Sequence, residues 1–399
     1  MRSLPSGLLA LPAEHDARLA SLSRKLRLLA LRTLLTRPLD GLSEPVRRAL
    51  PRLTSALLAA SRKNGARVAA AIGDPDVLPR LLALEAGVAD PDSMLRLAVP
   101  ALLAALARAR GTLEESVLWD VPVTELPDPE RTRLLRFSPP ARGVLADPSG
   151  LEVRLADGTR LPLSRVEHGA VPSFIPLRGH RAHLALHDAN PLSMFEEHPD
   201  KEGNALSLGG RDSSEWTRAL EDALALVGLA LPHLHAELEL TLERIVPVGY
   251  EPEKHLSASY REAPGLVYLT LHPSTLTMAE AIVHETQHGK LNVLSWFDAV
   301  LVNGRTEWTA SPVRPDLRPL MGVLLAAHAF VPVAALHARL AELDHPIART
   351  PEFARRRAEV LESNARGLAT VHEKGDPTPL GRELIAALDA LDAALRPSH

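Results

Sequence analysis

MAEAIVHETQHGKLNVLSWFDAVLV, residues 278–302, is the stretch on which the reading of this chain turns. It carries His284, Glu285 and His288 in the order HExxH. Four residues are slightly more than one helical turn, so a helix here puts both imidazoles on one face, close enough to share one metal ion. Glu285 is rotated about 100° from His284, beside such an ion rather than on it. Metal-assisted hydrolysis uses this disposition, with the glutamate as base for a bound water.

With 17 histidines in 399 residues, composition alone yields an HExxH in about one chain in twenty, so context decides. On a helical wheel Ile282, Val283, Val293, Leu294, Trp296, Phe297, Val300 and Leu301 cover most of the circumference. The polar residues, Glu280, His284, Glu285, Gln287, His288, Asn292, Ser295 and Asp298, fall mainly in one sector. A buried helix with a polar stripe must satisfy it internally. A metal centre does so; a buried hydrogen-bond network or a solvated face is the alternative. Just upstream, GLVYLTL (residues 265–271) reads as a short strand, with Pro273 breaking it. Thr277 is the expected N-cap, with Glu280 completing a capping box. A strand beside a metal helix offers its edge to an extended peptide.

A metal centre needs a third protein ligand. His328 is the candidate, in the apolar run PLMGVLLAAHAFVPVAALHARL (residues 319–340). Pro332, four residues on, predicts a kink at His328, since proline cannot donate to that carbonyl. Glu307 and Asp298 are rival ligands, and His337 lies half a turn from His328, so only one of the two faces the metal. Arg314 and Arg318, in the Pro-rich turn before this helix, are candidates to grip a carboxylate in bidentate fashion; solvated surface arginines are the alternative.

Hydrophobic residues make up 46 % and aromatic residues 3 %, so the core is Leu, Ala and Val. The net charge of −4 makes no electrostatic case for nucleic acid or an anionic membrane. Cysteine is absent, which leaves only N and O donors for a metal. Residues 1–35 are charged throughout and do not read as a signal peptide. The apolar run around Ala98–Ala107 is too short to span a bilayer. A cytoplasmic location is expected.

The fold class expected is α+β, predominantly helical. Residues 1–120 read as a helical domain with breaks at Pro51, Gly73 and Pro91. Residues 121–190 read as loops and strands, with a hairpin around Asp157-Gly158 and a short strand from His183 to Asp188. Residues 191–345 hold the HExxH segment, with more helix at 210–245, and residues 346–399 read as two C-terminal helices. Arg355, Arg356 and Arg357 read as a solvated face. His183 and His187 lie in a strand, and His198 with Asp200 forms an HxD in a polar loop; both are weaker metal candidates, and the loop is better read as lining a cleft.

Three segments together, HETQHGKL (284–291), SPVRPDLRPLMG (311–322) and HAFVPVA (328–334), with HPDKEGNALSLGGR (198–211), resemble the HExxH-motif proteins of ribosomal-peptide biosynthetic clusters. These proteins are regarded as iron(II)- and 2-oxoglutarate-dependent peptide β-hydroxylases. The likeness spans roughly residues 190–340 and has Val313 where many relatives have tryptophan. It implies that His284 and His288 hold iron, that His328 is the third ligand by position, and that Arg314 or Arg318 binds 2-oxoglutarate. The substrate implied is a ribosomally made precursor peptide. The rival reading is a zinc metallopeptidase trimming a leader peptide, with Glu285 as base. A third is a metal-free peptide-binding scaffold in which the histidines are polar core groups.

Overall fold

The computed structural model describes residues 9–12, 17–128, 130, 132–195, 203–310 and 316–396. The fold is α+β and predominantly helical, as its sequence predicts. Two compact units divide the chain. One comprises Ser23–Pro176 and His183–Leu206; the other comprises Ser207–His399 with Leu177–Ala182 and Met1–Leu22.

The first unit opens with helices α1 (Ala17–Leu35), α2 (Glu44–Ile72), α3 (Leu78–Glu85) and α4 (Pro91–Arg108). The break expected at Pro51 does not occur. α2 runs through it and departs from helical geometry at Asn64 instead, at φ −131° and ψ 42°. Pro91 does start a helix: it occupies the first position of α4, and the Asp90 carboxylate caps it by accepting from the Ser93 amide. Nine short strands follow: β1 (Val117–Trp119), β2 (Val123–Asp128), β3 (Arg133–Ala141), β4 (Gly143–Asp147), β5 (Gly150–Arg154), β6 (Arg160–Pro162), β7 (Ala170–Pro172), β8 (Phe174–Pro176) and β9 (His183–Ala185). They pair antiparallel as β1-β4-β5-β6, β2-β3-β7 and a β8-β9 hairpin. The β5-β6 hairpin turns at Asp157-Gly158, where Gly158 takes φ +93°. Buried Arg133 binds Asp128 and the carbonyls of Leu163 and Val166.

The second unit contains α5 (Ser213–Ala230), α6 (Pro232–Thr241), β10 (Arg244–Tyr250), β11 (Ser257–Ala258), β12 (Leu266–Leu271), α7 (Thr275–Leu294), the hairpin β13 (Trp308–Ala310) and β14 (Leu317–Pro319), α8 (Leu320–Glu342), α9 (Pro351–Lys374) and α10 (Pro379–Leu395). β12 lies between parallel β10 and antiparallel β11, and all six of its residues are buried. A run with no polar alternation is what a strand covered on both faces requires. It leads directly into α7, which packs on α5, α6 and α8, while α9 covers α8.

α8 is the most apolar helix here, with mean hydropathy 1.8 over an 18-residue window. Among the described residues it alone is long and apolar enough to cross a bilayer, but 72 % of that window is buried inside the fold. Length and composition suit a core helix equally well. The helix continues through Pro332 without interruption.

Candidate metal centre

α7 differs from its expected outline at both ends. The N-cap is Ser274, whose hydroxyl accepts from the Thr277 amide at 3.2 Å; Thr277 lies inside the helix. The helix ends at Leu294, so Trp296, Phe297, Val300 and Leu301 belong to the turns beyond it, and Phe297 is exposed. Val300 there adopts φ +61°, a costly conformation for a β-branched residue. It is pinned by Asp298, which accepts from the Val300 amide at 2.7 Å, and by Thr378, whose amide donates to the Val300 carbonyl.

His284 and His288 meet as their spacing requires. Their Nε2 atoms lie 2.8 Å apart with the rings at 89° to one another. Two nitrogens at right angles about an ion at ~2.0–2.1 Å would lie ~2.9 Å apart, so the pair has the geometry of two adjacent coordination positions. Burial pushes both imidazoles below the usual histidine range; His288 adds to this for His284, and Arg318 adds to it for His288. Both rings are therefore neutral at pH 7, the state a metal ligand must have. The Nδ1 atoms of both rings are buried with no protein partner among the described residues. Phe330 of α8 covers His284, with ring centroids 4.4 Å apart.

Glu285 is buried beside the pair and fully engaged. Ser257 donates to its Oε1 at 2.5 Å and Ser259 to its Oε2 at 2.7 Å. Ser257 lies in β11 and Ser259 just beyond its end. That two serines at i and i+2 serve the motif glutamate is what the HExxH reading overlooks.

The expected third ligand does not join them. His328 is fully buried, but its Nε2 lies 2.9 Å from the carbonyl of Leu9. Burial, then the nearby Lys290 charge, pushes it down to about 3. Lys290, also fully buried, pairs with Glu237 at 2.6 Å and reaches the Ala10 carbonyl at 3.4 Å. Side chains of α7 and α8 thus hold the segment 9–11, whose three side chains are buried. His337 points elsewhere too: its Nε2 lies 2.7 Å from Glu280 Oε1. The other oxygen of Glu280 takes Arg356, so Arg356 is no solvated bystander. Of the rival ligands, Asp298 accepts the Thr378 hydroxyl at 2.7 Å and Glu307 is a half-buried neighbour of Lys374. Among the described residues no three His, Asp or Glu side chains converge as a metal-binding group.

Of the two arginines, Arg318 is a half-buried β14 residue that faces Asp316 at 3.9 Å and acts electrostatically on His288. Arg314 lies outside the described residues, as do His198 and Asp200. In the other unit His187 is buried against Asp76, Nε2 to Oδ1 3.0 Å, an internal hydrogen bond rather than a metal site shared with His183.

The donor set is thus two neutral imidazoles on one helical face, a carboxylate held next to them by serines, and a cation nearby. Two nitrogen donors without thiolate suit iron(II) or zinc. No protein-family model matches the chain, and no curated protein does; the likeness to the HExxH peptide-modification proteins rests on the quoted motifs.

Proposed function

We propose that this chain is a non-haem iron(II)- and 2-oxoglutarate-dependent enzyme that hydroxylates a β-carbon in a ribosomally made precursor peptide, in the cytoplasm. His284 and His288 would hold the ion. When bound, iron with 2-oxoglutarate and dioxygen supplies oxidation of an unactivated carbon. The observation that carries the choice of oxygenase over peptidase is the state of Glu285. Both of its oxygens accept serine hydroxyls, so it is built as a positioning group and not as a base presented to a water. Arg318, acting on His288 from β14, supports an anionic co-substrate beside the ion.

The test is anaerobic reconstitution with iron(II), followed by 2-oxoglutarate, oxygen and short precursor peptides. Succinate formation with a peptide mass gain of one oxygen atom is expected. Oxygen-independent peptide cleavage by a zinc-loaded protein would replace this reading with the metallopeptidase.

A further inference from the structure

Beyond the metal helix, the chain builds a second polar feature that neither the motif nor its chemistry requires. Arg261 lies two residues past Ser259, in the turn that follows β11. Its guanidinium carbon stands 4.1 Å above the Trp296 ring. The same indole donates Nε1–H to the Arg261 carbonyl at 3.0 Å. Trp296 thus fixes this arginine at both its backbone and its head group. The Arg261 Nε is buried without a partner among the described residues. The carboxylate facing it, that of adjacent Glu262, lies 3.9 Å from Nη1, at the outer limit of an ion pair. Arg305, exposed in the turn before β13, is close enough to oppose the Arg261 charge. Burial, then Arg305, pushes the Arg261 pKa down, with Glu262 acting against both. The Arg261 head group is thus stacked and half-buried, with its one acid only at the outer limit of an ion pair. This is an arrangement suited to an incoming carboxylate, and Trp and Arg are enriched among the residues that carry binding energy at protein interfaces.

Position identifies the source of that carboxylate. From His288 to Leu294, the last residue of α7, is about 9 Å at 1.5 Å per residue, and Trp296 stands two residues beyond that end. A small keto acid held at the histidines is too short to span this. An extended peptide advances about 3.3 Å per residue and spans it in three or four. We propose that Arg261 and Arg305, backed by Trp296, form a specificity subsite for an acidic side chain three to four residues from the modified position of the substrate peptide. The proposal rests on the peptide-modifying reading for its substrate, but its test does not need turnover.

Metal-free protein is titrated calorimetrically with acetyl-AAAEAAA-amide, with the glutamine counterpart, and with free glutarate. Tighter binding of the Glu peptide, by tenfold or more, is expected. Arg261→Met should abolish that preference, Arg305→Met should reduce it, and Arg261→Lys should keep part of it. Equal binding of the Glu and Gln peptides, or no binding of either, overturns the subsite. Glutarate binding as tightly as the Glu peptide overturns its assignment to a peptide. A Glu preference in a protein that never hydroxylates would sink the proposed activity and leave the subsite standing.

Discussion

Ser259 donates its hydroxyl to Oε2 of Glu285 at 2.7 Å, and Ser257 takes the other oxygen. A carboxylate so held orients its neighbours; it does not have to move a proton. Glu285→Gln is therefore expected to keep its bound metal and to lose no more than about tenfold in turnover, since the serine hydroxyls can rotate to meet an amide. A loss of a thousandfold with metal content intact, in a peptide-cleavage assay, would return Glu285 to the role of general base.

The pair at 2.8 Å and His328, turned to the Leu9 carbonyl, make opposite predictions for metal retention. His284→Ala and His288→Ala should each abolish stoichiometric iron or cobalt, read by elemental analysis and by the cobalt visible spectrum. His328→Ala should leave metal content unchanged and cost about 1–3 kcal/mol of stability, because the Leu9 carbonyl loses its partner and a cavity opens. Metal loss in His328→Ala would restore it as a ligand.

Acid sensitivity has a defined sign. The folded protein holds His328 neutral down to about 3, whereas the unfolded chain protonates it near 6.5. Between these values the unfolded state carries an extra proton, so stability is complete above pH ~6.5 and declines as pH falls below it. His328 alone accounts for ~2 kcal/mol between pH 7.5 and pH 5. Lowered His284 and His288 act in the same direction. Urea unfolding of metal-free protein at pH 7.5, 6 and 5 checks this, and a flat profile would contradict it.

Lys290 and Glu237 form a buried pair at 2.6 Å. Lys290→Met takes this cation away from the buried Glu237 carboxylate and should cost about 3–5 kcal/mol. Adding Glu237→Leu should recover much of this, measured as the coupling in a double-mutant cycle. Additive losses would show that the two charges act independently.

What could be read in advance followed the kind of information each residue carries. The strand before the metal helix and the convergence of His284 with His288 depend on local periodicity, and both are visible in the chain. So are the turn at Asp157-Gly158 and the two C-terminal helices. The partners of His328, His337 and Glu280 are not local. His328 is 319 residues from Leu9, and Glu280 is 76 from Arg356; no spacing rule reaches that far. Thr277 failed as a cap because Ser274, three residues earlier, offers the same hydroxyl where the helix begins. Ser257 and Ser259 carried no periodic signal: β11 is two residues long, and only the fold shows that both hydroxyls face Glu285.

The grip of His328 and Lys290 on the carbonyls of Leu9 and Ala10 also sets an order of assembly. A ribosome makes residues 9–11 early and their anchoring side chains some three hundred residues later. Throughout that interval the segment must wait, its leucines without a home, while the whole Ser23–Pro176 stretch is synthesised and free to fold. The HExxH unit can close only after residue 328 has been made, so its closure includes a long-range docking of the segment 9–11 onto α7 and α8.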